Sequence, residues 1–516
     1  MASALPLALA ALPVLPFTSP AAHAADAQGA AGGVAIASPT PLPTAQINGV
    51  VWDQKIVGNT VYAVGEFSSA RPAGSAQGQN EVPRSNAMAY DITTGALLDW
   101  APTTNGVIYS IDASKDGKTL YLGGNFTSLN GESTFRLGAV NASDGKRVNL
   151  GISPNTEVRD VQVSPDGGTL YFSGAFTQVN NKARYRVAAV SLPSLTLTEF
   201  APRVGRGLVR TVTVAPDGSR VAIGGSFRDV GGSSHPGLAI LGSDGAVQST
   251  NINSVVRNSG TYAAIFSLKS DSQGLYGVAY SQEGSFEGLF RASWSTGDLD
   301  YMADCHGDTY DLFPAGGVVY VAGHPHDCRN IGGFGDTAPT SYYNALAYVN
   351  GRTGTVQRNH ARGYTDYSGQ PATTALQNFR PNFIVGRYTG MGQATWTVEG
   401  NDKYVVYGGE FVGVNKKGQQ GLVRFAIDST EVPPQGEGDD NGGHDGRKGD
   451  RHDGRKGGKG GKGGKGGHDG RRGDGRDNRD DDWNDWWDRG GRHGDWNDWW
   501  GRGGWNDWWN RGWGWR

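Results

Sequence analysis

Cysteine is nearly absent from this chain, with Cys305 and Cys328 the only two in 516 residues. They are not spaced as Cys-x-x-Cys, which argues against a zinc ribbon or a dithiol redox site. Beyond the N-terminus no stretch is apolar enough to span a bilayer, and no long segment carries helical apolar spacing. There is no Gly-x-Ser-x-Gly, no His-Glu-x-x-His, no phosphate loop and no LPxTG-like sorting motif. No sequence motif therefore stands behind an enzyme assignment, and no catalytic residue, cofactor or metal is assigned.

Glycine is abundant, at 82 residues beside 23 prolines, among many short Val/Tyr/Leu runs. This composition predicts an all-β fold. Residues 1–24, an apolar run ending in Ala22-His23-Ala24, read as a signal peptide, with prolines at 6, 13 and 16 arguing against a spanning helix. The protein is expected to be secreted or associated with the cell envelope. There the two thiols should form a Cys305–Cys328 disulfide, stabilising the fold by roughly 3 kcal/mol in the chain-entropy model.

One phrase recurs: Leu120-Tyr-Leu-Gly-Gly-Asn-Phe126, Leu170-Tyr-Phe-Ser-Gly-Ala-Phe176, Val221-Ala-Ile-Gly-Gly-Ser-Phe227, with further copies at 61–67 and 405–411 and degenerate ones at 275–280 and 319–324. Each sits among four short strand-like runs. The Lys115-Asp116-Gly117 and Pro165-Asp166-Gly167 turns between them read as tight hairpins rather than calcium loops. The expectation is a seven-bladed β-propeller of four-stranded blades over residues 47–430. The last unit lacks a fourth strand, and the apolar segment 33–38 within residues 25–46 is expected to close the ring by supplying it.

The Gly-Gly-x-Phe-Thr phrase, with Asn130-Gly131 after it and Asp144-Gly145 before the outer strand, resembles the delta-60 repeat propellers of secreted actinobacterial proteins. The resemblance implies a propeller fold and carries no single activity or catalytic set. Residues of the fifth and sixth units depart from the pattern.

Aligning the units places Trp52, Tyr109, Arg159, Arg210, Phe266, Tyr310 and Trp396 in one ring, followed by Asp53, Ser110, Asp160, Thr211, Ser267, Asp311 and Thr397 in a second. The plainer reading is that the polar ring bonds neighbouring backbone amides and the aromatics pack between blades. The sharper one is an open funnel suited to a glycan or peptide. The longer loops, 68–85, 325–343 and 362–393, fall at the same end, which marks that face as the binding candidate.

The sixth unit adds His306, Asp308, His324, His326 and Asp327. These are metal-compatible types without a ligand spacing, so surface or core histidines are the better account. His306 and Asp308 join the seven ring residues as ligand-binding candidates. A glycoside hydrolase or lyase would need paired carboxylates, for which Asp308, Asp311 and Glu283 or Glu287 qualify by location only.

Residues 431–482 form a Gly/Lys/Arg/Asp-rich linker and 483–516 a Trp-rich low-complexity tail, both expected to be disordered. Residues 431–516 hold 18 Asp/Glu against 17 Lys/Arg, a reason to expect no nucleic acid partner. Trp-Asn-Asp-Trp-Trp occurs three times, so Trp486, Trp487, Trp499, Trp500, Trp508 and Trp509 are contact candidates for a cell wall polymer or membrane surface. The expectation is a non-catalytic extracellular propeller binding a glycan or extracellular protein. The alternatives are a polysaccharide-acting enzyme and a structural scaffold of the cell surface, and the sequence leaves the oligomeric state open.

Overall fold

The recurring glycine phrases all lie in the second strand of a sheet, in a computed structural model that describes residues 33–282 and 284–432. The expected signal peptide, the linker and tail beyond residue 432 with their Trp clusters, and Glu283 lie outside the described residues.

The first sheet contains Val50–Val57, Thr60–Glu66 and Ala87–Asp91. The second runs Ile108–Ala113, Thr119–Gly124, Leu137–Asn141 and Arg147–Val148, and the third Val158–Val163, Thr169–Gly174, Val187–Ser191 and Thr196–Leu197. Val209–Val214, Arg220–Gly225 and Leu238–Gly242 make the fourth. The fifth runs Ala263–Asp271, Gly274–Ser281, Gly288–Ala292 and Leu299–Asp304, and the sixth Thr309–Ala315, Val318–Gly323 and Ala345–Val349. The last sheet holds Thr395–Gly400, Tyr404–Gly409 and Leu422–Glu431.

The first strand of each sheet packs on the first strand of the next, and Thr395–Gly400 returns against Val50–Val57, so the sheets form a closed ring. This arrangement is a β-propeller.

The strand count per sheet differs from the expected uniform four. In the first, fourth and sixth sheets the outermost strand shrinks to single bridges, Tyr90–Leu97, Leu241–Val247 and Tyr348–Ala375. The fifth sheet instead grows to six strands, because Pro371–Ala372 and Gly354–Thr355 add to its outer edge. Part of the 362–393 insertion thus covers sheet edges instead of standing wholly on the looped face, and it shields backbone groups that an open edge would leave unpaired.

Residues on the N-terminal side complete the last sheet. Val34–Ala37 pairs antiparallel with Leu422–Glu431, matching Val34 with Glu431 and Ile36 with Ser429. Ile36 and Ala37 are fully buried, and the Ala37 amide donates to the Tyr320 hydroxyl at 2.8 Å. Arg424 ties the seam further, its guanidinium donating to the carbonyls of Pro43, Ile92 and Thr93.

Tight turns serve these hairpins. Gly117 and Gly167 hold φ of 69° and 81°, while Asp116 and Asp166 accept from the amides of Lys118 and Gly168 within the same turns. The second glycine of the repeated phrase has another role. A Cβ on Gly124 or Gly225 would collide with the carbonyl oxygen of Val107 or Leu208, just where the inner strand begins.

Cys305 and Cys328 are disulfide-bonded, with Cα atoms 4.3 Å apart, linking the approach to the sixth sheet's first strand with the loop after its second.

Truncating Ile36 at the closing strand should open a cavity that the seam cannot fill. Ile36→Ala is expected to lower stability by about 3 kcal/mol. Urea unfolding checks this, and an unchanged midpoint would show that the seam does not depend on this strand.

Candidate functional site

Every first strand carries one surplus residue. Pairing with the second strand slips between Val51 and Asp53, Ile108 and Ser110, Val158 and Asp160, Val209 and Thr211, Ile265 and Ser267, Thr309 and Asp311, and Thr395 and Thr397. The residues skipped are Trp52, Tyr109, Arg159, Arg210, Phe266, Tyr310 and Trp396, the members of the aromatic and arginine ring. A β-bulge bends its strand and re-aims the extra side chain, here toward the common axis.

There the side chains pack on one another. Trp396 stands 4.4 Å from Tyr310 and 5.0 Å from Trp52, centroid to centroid, and Phe266 lies 5.2 Å from Tyr310. The guanidinium of Arg210 sits 5.2 Å from the Phe266 centroid, and that of Arg159 lies 4.0 Å from Tyr109 while pairing with Glu157 at 2.8 Å. Tyr310, Trp396, Arg159 and Arg210 are buried. The ring is a plug across the axis, and its rings contact each other before they could contact a ligand in an open funnel.

Below the plug the polar ring bonds strand to strand. Asp53 accepts from the Ile111 amide at 2.9 Å, Ser110 from Val161 at 3.2 Å, Asp160 from Val212 at 2.8 Å, Thr211 from Leu268 at 3.1 Å and Asp311 from Val398 at 3.0 Å. In each case the donor belongs to the next inner strand. Side-chain bonds strengthen the belt: Ser110 donates to Asp160, and both Ser267 and Thr397 donate to Asp311.

Two positions further along the strands, a layer singled out by no motif completes a chamber of about 120 Å³. Lys55 pairs with Asp112 at 2.7 Å, and Lys269 lies 3.9 Å from Glu399. Burial alone would lower the Lys269 ammonium, yet the carboxylates of Asp311, Glu399, Asp53 and Asp160 hold it well above the usual lysine range. Burial pushes Asp53 up to about 7, against the pull of Lys269 and with repulsion from Asp311 and Asp160 adding to it. These residues were legible only as a period-two continuation of the polar ring.

His306 and Asp308 lie outside the plug, in the loops between the fifth and sixth sheets. Tyr310 joins the two places, because its hydroxyl donates to the Asp308 carboxylate at 3.2 Å and lies 3.2 Å from His324 Nδ1. Gln393 Oε1 lies 2.9 Å from that same nitrogen. Asp327 pairs with Arg329, and Asp311 is consumed by the belt, so of the carboxyl groups that the sequence singles out by location Asp308 and Glu287 remain, close enough that the charge of Asp308 acts on Glu287. Among the described residues no three His, Cys, Asp or Glu side chains converge as a metal site.

No family model matches the chain, and no curated protein resembles it closely enough to count as a relative. Among solved structures it resembles the computationally designed Ika8 protein, at 10% identity and a TM-score of 0.40, covering 76% of this chain and 100% of that one. It also resembles the β-propeller domain of Cps50 (Swd1) from Myceliophteria thermophila, at 9% identity and a TM-score of 0.42, covering 74% of this chain and 99% of that one. At such values the fold rests on the order of the sheets.

Because folding raises the Asp53 carboxyl above its ordinary 3.8, the native state holds that proton more tightly than the unfolded chain. The stability it contributes is complete below about pH 4 and is lost as pH rises toward about 7. Asp53→Asn cannot titrate, so its urea midpoint should vary less between pH 4 and 7 than the wild type's. Parallel pH profiles would contradict the assignment.

Proposed function

We propose that this chain is an exported, seven-bladed propeller of delta-60 repeat type, its blades variations on a four-stranded plan, that binds a glycan or extracellular protein without catalysis. One observation carries the reading. Among the described residues, seven of the nine exposed large apolar side chains, Val82, Phe135, Tyr342, Ile384, Val385, Tyr388 and Val412, lie in the connections of the face where the inner strands begin, Val82 and Ile384 within two-residue strands there. The other two, Leu195 and Val432, follow third strands at the opposite end. An apolar surface gathered on one face costs solubility unless a partner covers it.

Tyr342 is 57% exposed and Tyr388 42%, and both offer a ring with a polar tip, the side-chain type that stacks on sugars and anchors protein contacts. The buried plug supports a rim location for binding in preference to the axis. In this proposal the Trp-rich tail attaches the molecule to a wall polymer or membrane surface, while the propeller recognises the ligand.

The full-length protein should bind a restricted set of glycans on an array. Tyr342→Ser combined with Tyr388→Ser should weaken that binding at least about tenfold, with stability changed by no more than about 0.5 kcal/mol because both positions are exposed. Equal binding by the double variant and the wild type would overturn the reading.

A further inference from the structure

The fifth and sixth sheets bring two carboxyl groups together on the looped face, with no lysine or arginine paired to either among the described residues and the imidazole of His324 as the basic neighbour of Asp308. Glu287 is 5% exposed and accepts the Gly307 amide at 2.5 Å. Asp308 accepts the Ser281 amide at 3.2 Å and the Tyr310 hydroxyl at 3.2 Å, with His324 Nε2 at 3.9 Å. Burial raises both carboxyls, and the charge of Asp308 raises Glu287 further, with Asp304 adding to it; His324 and His326 oppose the rise at Asp308. Among the described residues no Lys or Arg pairs with either, and the nearby Arg329 is engaged by Asp327.

A second observation comes from His306. It is 3% exposed, and neither ring nitrogen has a hydrogen-bond partner among the described residues. Its ring lies flat on Tyr364, centroids 3.8 Å apart with 9° between planes, and Tyr364 in turn feels the charges of Glu287 and Asp308. Burial pushes the His306 imidazole down to about 4, so it supplies no positive charge at neutral pH. A buried imidazole without partners, one residue from the Gly307 amide that Glu287 accepts and facing the charges of Asp327, His326, Arg329 and Asp336, is a polar group short of its complement. Solvent reaches it, because the Asp308 and His324 side chains are 19% and 20% exposed and Tyr342 stands edge-on to both His324 and His326 at the rim.

We propose that this cluster binds the protonated primary amine of an amino sugar. The ammonium lies against Glu287 and Asp308, the sugar ring against Tyr342, and a hydroxyl against His306. The chemistry of the cluster points to this class. An ammonium supplies the missing positive charge and donates three hydrogen bonds, and tyrosine rings attract cations. The ammonium favours the ionised form of both carboxyls, so binding drives proton release to the buffer and changes no covalent bond. The inference rests on the glycan reading of this face and names the group recognised.

Isothermal titration of the full chain with a trimer of glucosamine, its N-acetylated counterpart and trilysine tests it, repeated in buffers of different ionisation enthalpy. The glucosamine trimer should bind with net proton release, and the acetylated trimer at least about tenfold more weakly, since it lacks the charge. Glu287→Gln and Asp308→Asn should each cost at least about tenfold. The partly exposed Asp308 position serves if the buried Glu287 variant fails to fold. Equal binding of both sugar trimers would overturn the amine assignment while leaving glycan binding standing. Trilysine binding as tightly as the glucosamine trimer would overturn the sugar assignment, and no binding of any probe, or unweakened variants, would overturn the site.

Discussion

A surplus residue in every inner strand organises the molecule. The bulge sends one side chain toward the axis, and the next residue, always Asp, Ser or Thr, then meets the neighbouring strand. In five junctions that residue accepts an amide from the next inner strand. Edge amides facing the axis would otherwise be buried without partners, at a cost of about 1–3 kcal/mol each. In every sheet but the fifth, where Ala279 stands in its place, a glycine opposite the bulge gives it room, which is why the repeated phrase places one where the second strand ends.

The same constraint moves binding off the axis. Side chains aimed inward from all the sheets fill the centre with aromatic rings and two arginines, leaving below them a chamber whose acidic wall is balanced by Lys55 and Lys269. Buried charges of this kind persist where each has a partner, and they make the core costly to invade. Exposed apolar and aromatic side chains instead gather in the loops. Tyr310 belongs to both regions, packing in the plug and bonding to Asp308 and His324 beyond it.

Both rings were legible in the sequence because the bulge recurs at the same place in each unit, so a simple alignment put Trp52 level with Trp396 and Asp53 level with Asp311. The disulfide was legible because only two cysteines exist. Less visible was the layer of Lys55, Asp112, Lys269 and Glu399, whose types differ from sheet to sheet and so form no repeat. The closure of the aromatic ring into a plug depends on the width of the axis, which no single strand records. Glu287 and Tyr364 reach Asp308 and His306 from separate segments, a strand start and a long insertion, so their proximity follows only once the sheets are arranged. The varying outer strands escaped prediction because one or two ladder bonds suffice at an edge that faces solvent.

The belt of strand-to-strand bonds can be tested amide by amide. Native-state hydrogen exchange should find the amides of Ile111, Val161, Val212, Leu268 and Val398 protected to the level of global unfolding, since each is released only when the ring opens. If those five amides exchange as fast as those of the exposed loops, the belt does not hold the propeller together.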